Sequence, residues 1–247
     1  MKKKFYKIKL PIFLKPKKKF ELERLGNQHD GGYLVDPSAI RNSKSLVSLG
    51  INDDWSFEKD FFLKNKNATI LCFDKDTSLF FLIKTFIKKF VFFYYYGFSG
   101  TLKSFLNIID YIFFLKKKIY KKNITKNTLA KITKKVKSPI FLKIDIEGSE
   151  YRILEDILKI KKKISGMVIE FHDIDLFSSV IKKFLKKNKL NLIHVHANNC
   201  GVKYNEANIL ELSFSKKGKI IGENPSFPHK LDKPNLKNNN DFKIYFK

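Results

Sequence analysis

Cysteine is almost absent: Cys72 and Cys200 are the only two in 247 residues. That excludes a disulfide framework and a four-thiolate zinc site, and makes a reducing, cytoplasmic setting the expected one. Acid is scarce as well, with 24 Asp and Glu against 50 Lys and Arg and a formal net charge of +26. Long apolar runs are missing. The most apolar tract, residues 79–98, is broken by Lys84, Lys88 and Lys89, whereas a membrane-spanning helix needs about 20 apolar residues. A second tract, residues 105–115, is shorter and holds Asp110. The opening MKKKFYKIKLPIFLKPKKKF is cut by Pro11 and Lys15 and does not read as a secretory signal.

What is present is 43% hydrophobic and 15% aromatic, too apolar for a disordered basic tail and enough for one sizeable core. The expected organisation is a basic extension over residues 1–20 and a single domain over 21–247 that includes a Pro- and Asn-rich C-terminal segment. Residues 1–20 and 222–241 are expected to be the most loosely packed. Abundant Lys, Asn, Ile and Phe is what AT-rich codons favour. The charge excess therefore has a compositional explanation beside attraction to nucleic acid, acidic glycans or anionic lipid. Lys-flanked aromatic surface keeps peripheral membrane contact open.

Short apolar runs alternate with helical patterns. Strands are predicted at 45–49, 69–73, 91–96, 140–146, 167–171, 191–196 and 209–214, with a last short run FKIYF. Helices are predicted at 55–64, 77–90, about 101–118, 126–137, 149–160 and 177–188. The third strand, VFFYYY, rests on its β-branched and aromatic residues and is placed in the core. The alternation argues for an α/β fold with a mainly parallel sheet. Two late strands without a helix between them suggest an antiparallel hairpin at one sheet edge.

In open α/β sheets ligands bind at the carboxyl ends of strands. Polar residues collect there: Gly50 to Asp54, Asp74 to Asp76, Asp145 to Glu150, Glu170 to Asp173, and His196 to Asn199. Any one cluster could merely cap a helix. Five on the same side of one sheet, with repeated carboxylates and two histidines, are harder to explain that way. Asp74, at the end of the second strand, could accept hydrogen bonds from both hydroxyls of a ribose. A dinucleotide site would also need G-x-G-x-x-G in the first turn. Here that turn holds Gly50 and then two acids, Asp53 and Asp54, which would repel a pyrophosphate and suit a cationic ligand. The residues thus favour S-adenosylmethionine over a nicotinamide cofactor.

FLKIDIEGSEYRIL (141–154) resembles the hallmark segment of FkbM-type S-adenosylmethionine-dependent methyltransferases. SLGINDDWSFEKDF (48–61), HDGGYLV (29–35), VIEFHD (168–173), HVHANNCG (194–201) and FPHKLDKPN (227–235) look like accompanying motifs of one branch. The resemblance implies a class I methyltransferase fold, Rossmann-like and seven-stranded, and usually O-methylation of a sugar or other hydroxyl-bearing small molecule or glycan. It would set Gly50, Asn52 and Asp54 around the donor, Asp74 on its ribose, and Asp145 and Glu147 near the transferred methyl group. Gly50 stands alone where many methyltransferases have a glycine-rich turn.

For removing a hydroxyl proton, histidine is the common base near neutral pH. His172 and His196 both follow strands toward the site. His172 is favoured because Glu170, Asp173 and Asp145 could orient it, while His194 and His196 share a strand face. Asp145, Glu170, His172, His196 and Asn198 together would also offer ligands to a divalent metal, although no spacing demands one. The DGGY turn, Asp30 to Tyr33, is either a plain hairpin turn or a segment presenting Asp30 or Tyr33 to the donor. Alternatives from other classes are a basic nucleic-acid-binding protein and an RNA methyltransferase on the same scaffold. No recognition signature for nucleic acid supports them.

The charge is unevenly placed. Residues 21–76 carry ten acids and seven basic residues, and residues 145–175 carry eight and five. The segments holding the expected site are therefore acidic, and the periphery carries the positive excess.

Overall fold

The computed structural model describes residues 5–121, 123–200, 202–203 and 206–247. Residues 1–4 of the expected basic extension and Gly201 of the HVHANNCG motif lie outside the described residues.

The central sheet has seven strands: β1 (Ser45–Leu49), β2 (Thr69–Asp74), β3 (Ile119–Lys121), β4 (Ile140–Ile144), β5 (Ile164–Phe171), β6 (Asn191–Ala197) and β7 (Leu210–Ser215). Their spatial order is β6-β7-β5-β4-β1-β2-β3. β3, β2, β1, β4 and β5 run parallel, and β7 enters antiparallel between β5 and β6. This is the sheet of a class I methyltransferase fold. The expected antiparallel edge is present, with β6 outermost.

Helices α1 (Ser56–Lys64), α2 (Leu79–Val91), α3 (Phe93–Asp110), α4 (Thr128–Thr133), α5 (Leu154–Ile160) and α6 (Ile174–Lys187) connect the strands. Every residue of β1, β4 and β5 is buried, as parallel strands covered on both faces require. Alternation divides their side chains between two cores. Val47, Leu142 and Ile144 face one core with Ile157 and Ile181, while Leu46, Phe141 and Val168 face the other with Phe57 and Phe61.

Three expectations are corrected. Residues 91–96 are not a core strand. They end α2 and begin α3, and Tyr94 is fully exposed at 103%. Aromatic content alone cannot separate a strand from the turn of a helical hairpin. The true third strand is only three residues long, directly after Lys116 to Lys118. Nor is the start of the chain loosely packed, because Phe5–Leu10 pairs in parallel with Asp241–Phe246 and buries Ile8 and Leu10 in the core. Within residues 222–241, Asp232 and Asn235 are buried among polar partners. No helix among the described residues is long and apolar enough to cross a membrane.

Candidate active site

The strand order reverses between β1 and β4, and the turns after these two strands meet there. Gly50 follows β1 with φ +79°, and a Cβ on it would lie 1.6 Å from the Asp145 carbonyl oxygen. Only glycine fits such an approach. The contact is locked by the Asp145 amide donating to the Leu49 carbonyl at 2.9 Å. Beside it opens a cavity of about 700 Å³.

Gly50, Asn52, Asp54, Asp74, Asp145 and Glu147 all line this cavity. Its wall carries seven carboxylates (Asp30, Asp53, Asp54, Asp74, Asp76, Asp145, Glu147) and four cationic side chains (Lys75, Lys103, Lys143, Arg152). The acidity of the motif segments therefore survives folding into the site. Asn52 and Glu147 hold φ of 52°, a left-handed conformation that costs of order 1 kcal/mol for a non-glycine residue.

The Asp74 carboxylate is engaged by backbone amides. One carboxylate oxygen accepts from the Ile51 and Asn52 amides at 2.9 and 3.1 Å, the other from the Asp76 and Thr77 amides at 2.8 and 2.9 Å. Burial alone would raise its pKa, but these bonds outweigh burial and hold it below the usual value. Asp74 thus braces the turns after β1 and β2. Asp76, on the same lip, is exposed. Asp54 accepts from the Ser56 amide at the start of α1 and from Asn27 Nδ2. Those bonds lower its pKa against the opposing effect of burial.

Lys143 is buried at the floor of the site. Its ammonium donates to the Gly50 carbonyl at 2.9 Å and lies 3.6 Å from Glu58. Burial opposes its charge, yet Glu58 and Asp145 overcome that and raise its pKa. The DGGY turn does reach the site. Asp30 lines the cavity, and the buried Tyr33 hydroxyl lies 3.0 Å from Asp145 and 3.2 Å from Glu170. A tyrosine has one proton and cannot donate it to two carboxylates. The geometry is satisfied when Glu170 carries a proton, and burial together with the charges of Asp145, Glu211 and Asp30 pushes its pKa well up. Burial also raises the pKa of Asp145, against the pull of Lys143.

His172 does not itself line the cavity but lies behind the lining residue Glu147, with Nε2 3.4 Å from Glu147 and 3.7 Å from Glu170. Its Nδ1 lies 3.2 Å from Glu150, a fully buried carboxylate that also accepts the Ile146 and Gly148 amides. Burial lowers the imidazole pKa, but the Glu150 hydrogen bond and the charges of Asp145 and Glu147 leave it raised. Glu150, not Asp173, is the orienting residue. Asp173 instead accepts from Asn208 Nδ2 at 3.1 Å. Glu150 belongs to the DIEGSE segment and could have been found from its i+3 spacing to Glu147.

The structure does not bring His196 to the cavity. It is buried, with Nδ1 3.1 Å from Glu211 and Nε2 3.3 Å from Asp241. Burial opposes its charge, but the carboxylates prevail and hold its pKa well up. His194 pairs with Asp232 at 2.9 Å. The C-terminal FPHKLDKPN segment closes this polar layer. Asn235 Nδ2 donates to Glu211 at 2.7 Å and to Asp30 at 3.1 Å, and His29 Nδ1 donates to the Pro234 carbonyl at 2.8 Å. Of the five expected metal ligands, Asp145 and His172 come together, joined by Glu147, with their ligand atoms all within 4.8 Å. Glu147 lies within ion-pairing distance of His172 Nε2 whenever the imidazole is protonated, and Asn198 bonds to Glu170 instead.

The Methyltransferase FkbM domain profile matches residues 27–204. No curated protein matches the chain in sequence. Among solved structures, Methanococcus jannaschii fibrillarin pre-rRNA processing protein is similar at 9% identity, covering 81% of this chain and 84% of its own, with TM-score 0.40. TrmK of M. capricolum with S-adenosylhomocysteine is similar at 15% identity, covering 74% and 66%, with TM-score 0.38. An O-methyltransferase from Bacillus cereus, also with S-adenosylhomocysteine, is similar at 10% identity, covering 72% and 76%, with TM-score 0.36. With a family profile covering most of its length and the strand order to match, the chain belongs to the FkbM family of S-adenosylmethionine-dependent methyltransferases.

Proposed function

We propose that the protein methylates a hydroxyl oxygen on a sugar, glycan or other small molecule, with His172 as the general base. The residues present fit the donor. The cavity is large enough for a small-molecule ligand, bare backbone at Gly31 permits close approach, and the excess of carboxylates suits an ammonium and a sulfonium. The Gly50 to Asn52 turn would hold the methionine part, and Asp76, with Asp74 bracing the turn behind it, would hold the ribose. When bound, the donor supplies a methyl group that is already electrophilic.

The chain's own task is to place the acceptor oxygen and take its proton. The observation that carries the reading is the pinning of His172 at Nδ1 by Glu150. A proton fixed on Nδ1 leaves Nε2 as the basic nitrogen. Once Nε2 is protonated, the Glu147 carboxylate 3.4 Å away stabilises the imidazolium. The carboxylate-rich wall favours a neutral or cationic acceptor over a polyphosphate backbone.

The test is transfer of labelled methyl groups to a panel of hydroxyl-bearing sugars. His172→Ala is expected to lower kcat by about a hundredfold or more, with S-adenosylhomocysteine affinity unchanged. An unchanged kcat, or transfer to RNA in preference to every hydroxylated small molecule, would overturn the reading.

A further inference from the structure

We propose that the α2–α3 hairpin is a docking element for an anionic lipid bilayer, lying in its interface rather than crossing it. Soluble monomers rarely expose a large contiguous apolar patch, yet here each helix exposes an apolar stripe at helical spacing. On α2 it is Phe80, Ile83, Ile87 and Phe90; along α3 and the turn that continues it, Leu102, Leu106, Ile109 and Phe113. The connecting turn adds Phe92, Phe93, Tyr94, Tyr95 and Phe98, all exposed.

The hairpin is complete without a partner chain. Thr101 Oγ1 donates to the Lys89 carbonyl across the two helices, the Phe86 and Phe105 rings pack 5.7 Å apart, and Ser104 is buried between them. Gly97, at φ +68°, breaks α3 near its start. The exposed rings therefore face outward from a consolidated unit.

Charge identifies the occupant. Residues 77–109 hold four lysines and no acid; Asp110, the one acid of α3, is paired with Lys59 at 2.7 Å, and Lys116 to Lys118 follow at the base. Aromatic rings interleaved with lysines, the single carboxylate lying at the base and paired, match the interface of an anionic membrane, where Tyr and Trp sit at headgroup level. A second copy of the same hairpin would set lysine against lysine. The base of the hairpin also meets the active site, since Asn107 Nδ2 donates to the Asp53 carbonyl at 2.8 Å and Lys103 lines the cavity. Docking would hold the cavity mouth beside the bilayer.

The test is co-sedimentation of the whole protein with vesicles of phosphatidylcholine alone or mixed with phosphatidylglycerol. Binding to the mixed vesicles is expected, falling as salt is raised. A Phe92→Ser/Tyr94→Ser/Tyr95→Ser variant and a Lys84→Gln/Lys88→Gln/Lys89→Gln variant should each bind about tenfold more weakly. Tyr94→Trp should give a blue-shifted emission on mixed vesicles only. The proposal is overturned if the serine variant binds as tightly as the wild type, since the net charge alone would then explain adsorption. It is equally overturned if the wild type is a dimer in sedimentation equilibrium that the serine variant dissolves, or if no vesicle binds. None of these outcomes depends on methyl transfer to any acceptor.

Discussion

The cavity and the α2–α3 hairpin share a boundary and obey opposite rules. In the cavity, charges are numerous, mostly acidic and tied down. Asp74 holds four backbone amides, Glu150 two amides and an imidazole, and Lys143 a carbonyl beside Glu58. In the hairpin, charges are few and mostly basic, and the aromatic rings of the turn face solvent. The first arrangement suits a site that must keep its geometry while a cationic donor enters. The second gives up burial on the outer face, which in water contributes nothing to folding. A chain charge of +26 therefore describes neither region.

Substitutions that touch the first region should cost much, and those in the second little. Gly50→Ala is expected to have the largest effect. Its Cβ would overlap backbone in a left-handed turn, so a loss of more than about 3 kcal/mol of stability is expected in denaturant titration. His196→Ala, in the buried polar layer outside the cavity, comes next. It leaves Glu211 and Asp241 buried without their cation, at a cost of about 3 kcal/mol, whereas donor binding by the protein that remains folded should persist.

The pH dependence sharpens the contrast. Because the folded pKa of His172 is raised, the catalytic rate should climb as pH rises above the ordinary histidine value and plateau once Nε2 is free. Glu150→Gln should move that limb to lower pH. Glu170 works on stability. Its folded pKa lies above the unfolded 4.5, so its favourable contribution is full below about that value and is lost as pH rises through the folded pKa. Glu170→Gln should therefore gain thermal stability over the wild type progressively above pH 5, read as a difference in Tm. The smallest effect belongs to the hairpin, where Tyr94→Ser and Tyr95→Ser should stay within about 0.5 kcal/mol of wild type in water.

The sheet was legible wherever a short apolar run ended in acids, as SLVSL, TILCF and IFLKIDI do. Burial on both faces makes such strands continuous in sequence. β3 was illegible because three residues flanked by lysine carry no period, and VFFYYY drew the assignment because its rings suit a strand as well as an exposed turn. Asp145, Glu147 and His172 were legible in their motifs, since strand ends place them locally. The surroundings of His196 were not. Glu211 faces it across the β6–β7 register, and Asp241 arrives from 45 residues away. Strand alternation says which face a histidine takes but not which carboxylates wait there. The partner of Tyr33, 112 residues distant, was hidden for the same reason.

The most direct test of the account is calorimetric titration of S-adenosylhomocysteine into the wild type, Asp76→Asn and the Phe92→Ser/Tyr94→Ser/Tyr95→Ser variant. One saturable site should appear in the wild type, with equal affinity in the hairpin variant and about tenfold weaker affinity in Asp76→Asn, as for a lost charged hydrogen bond. No heat of binding to well-folded wild-type protein, or binding lost with the hairpin rings and kept with Asp76→Asn, would contradict the placement of the donor in the acidic cavity.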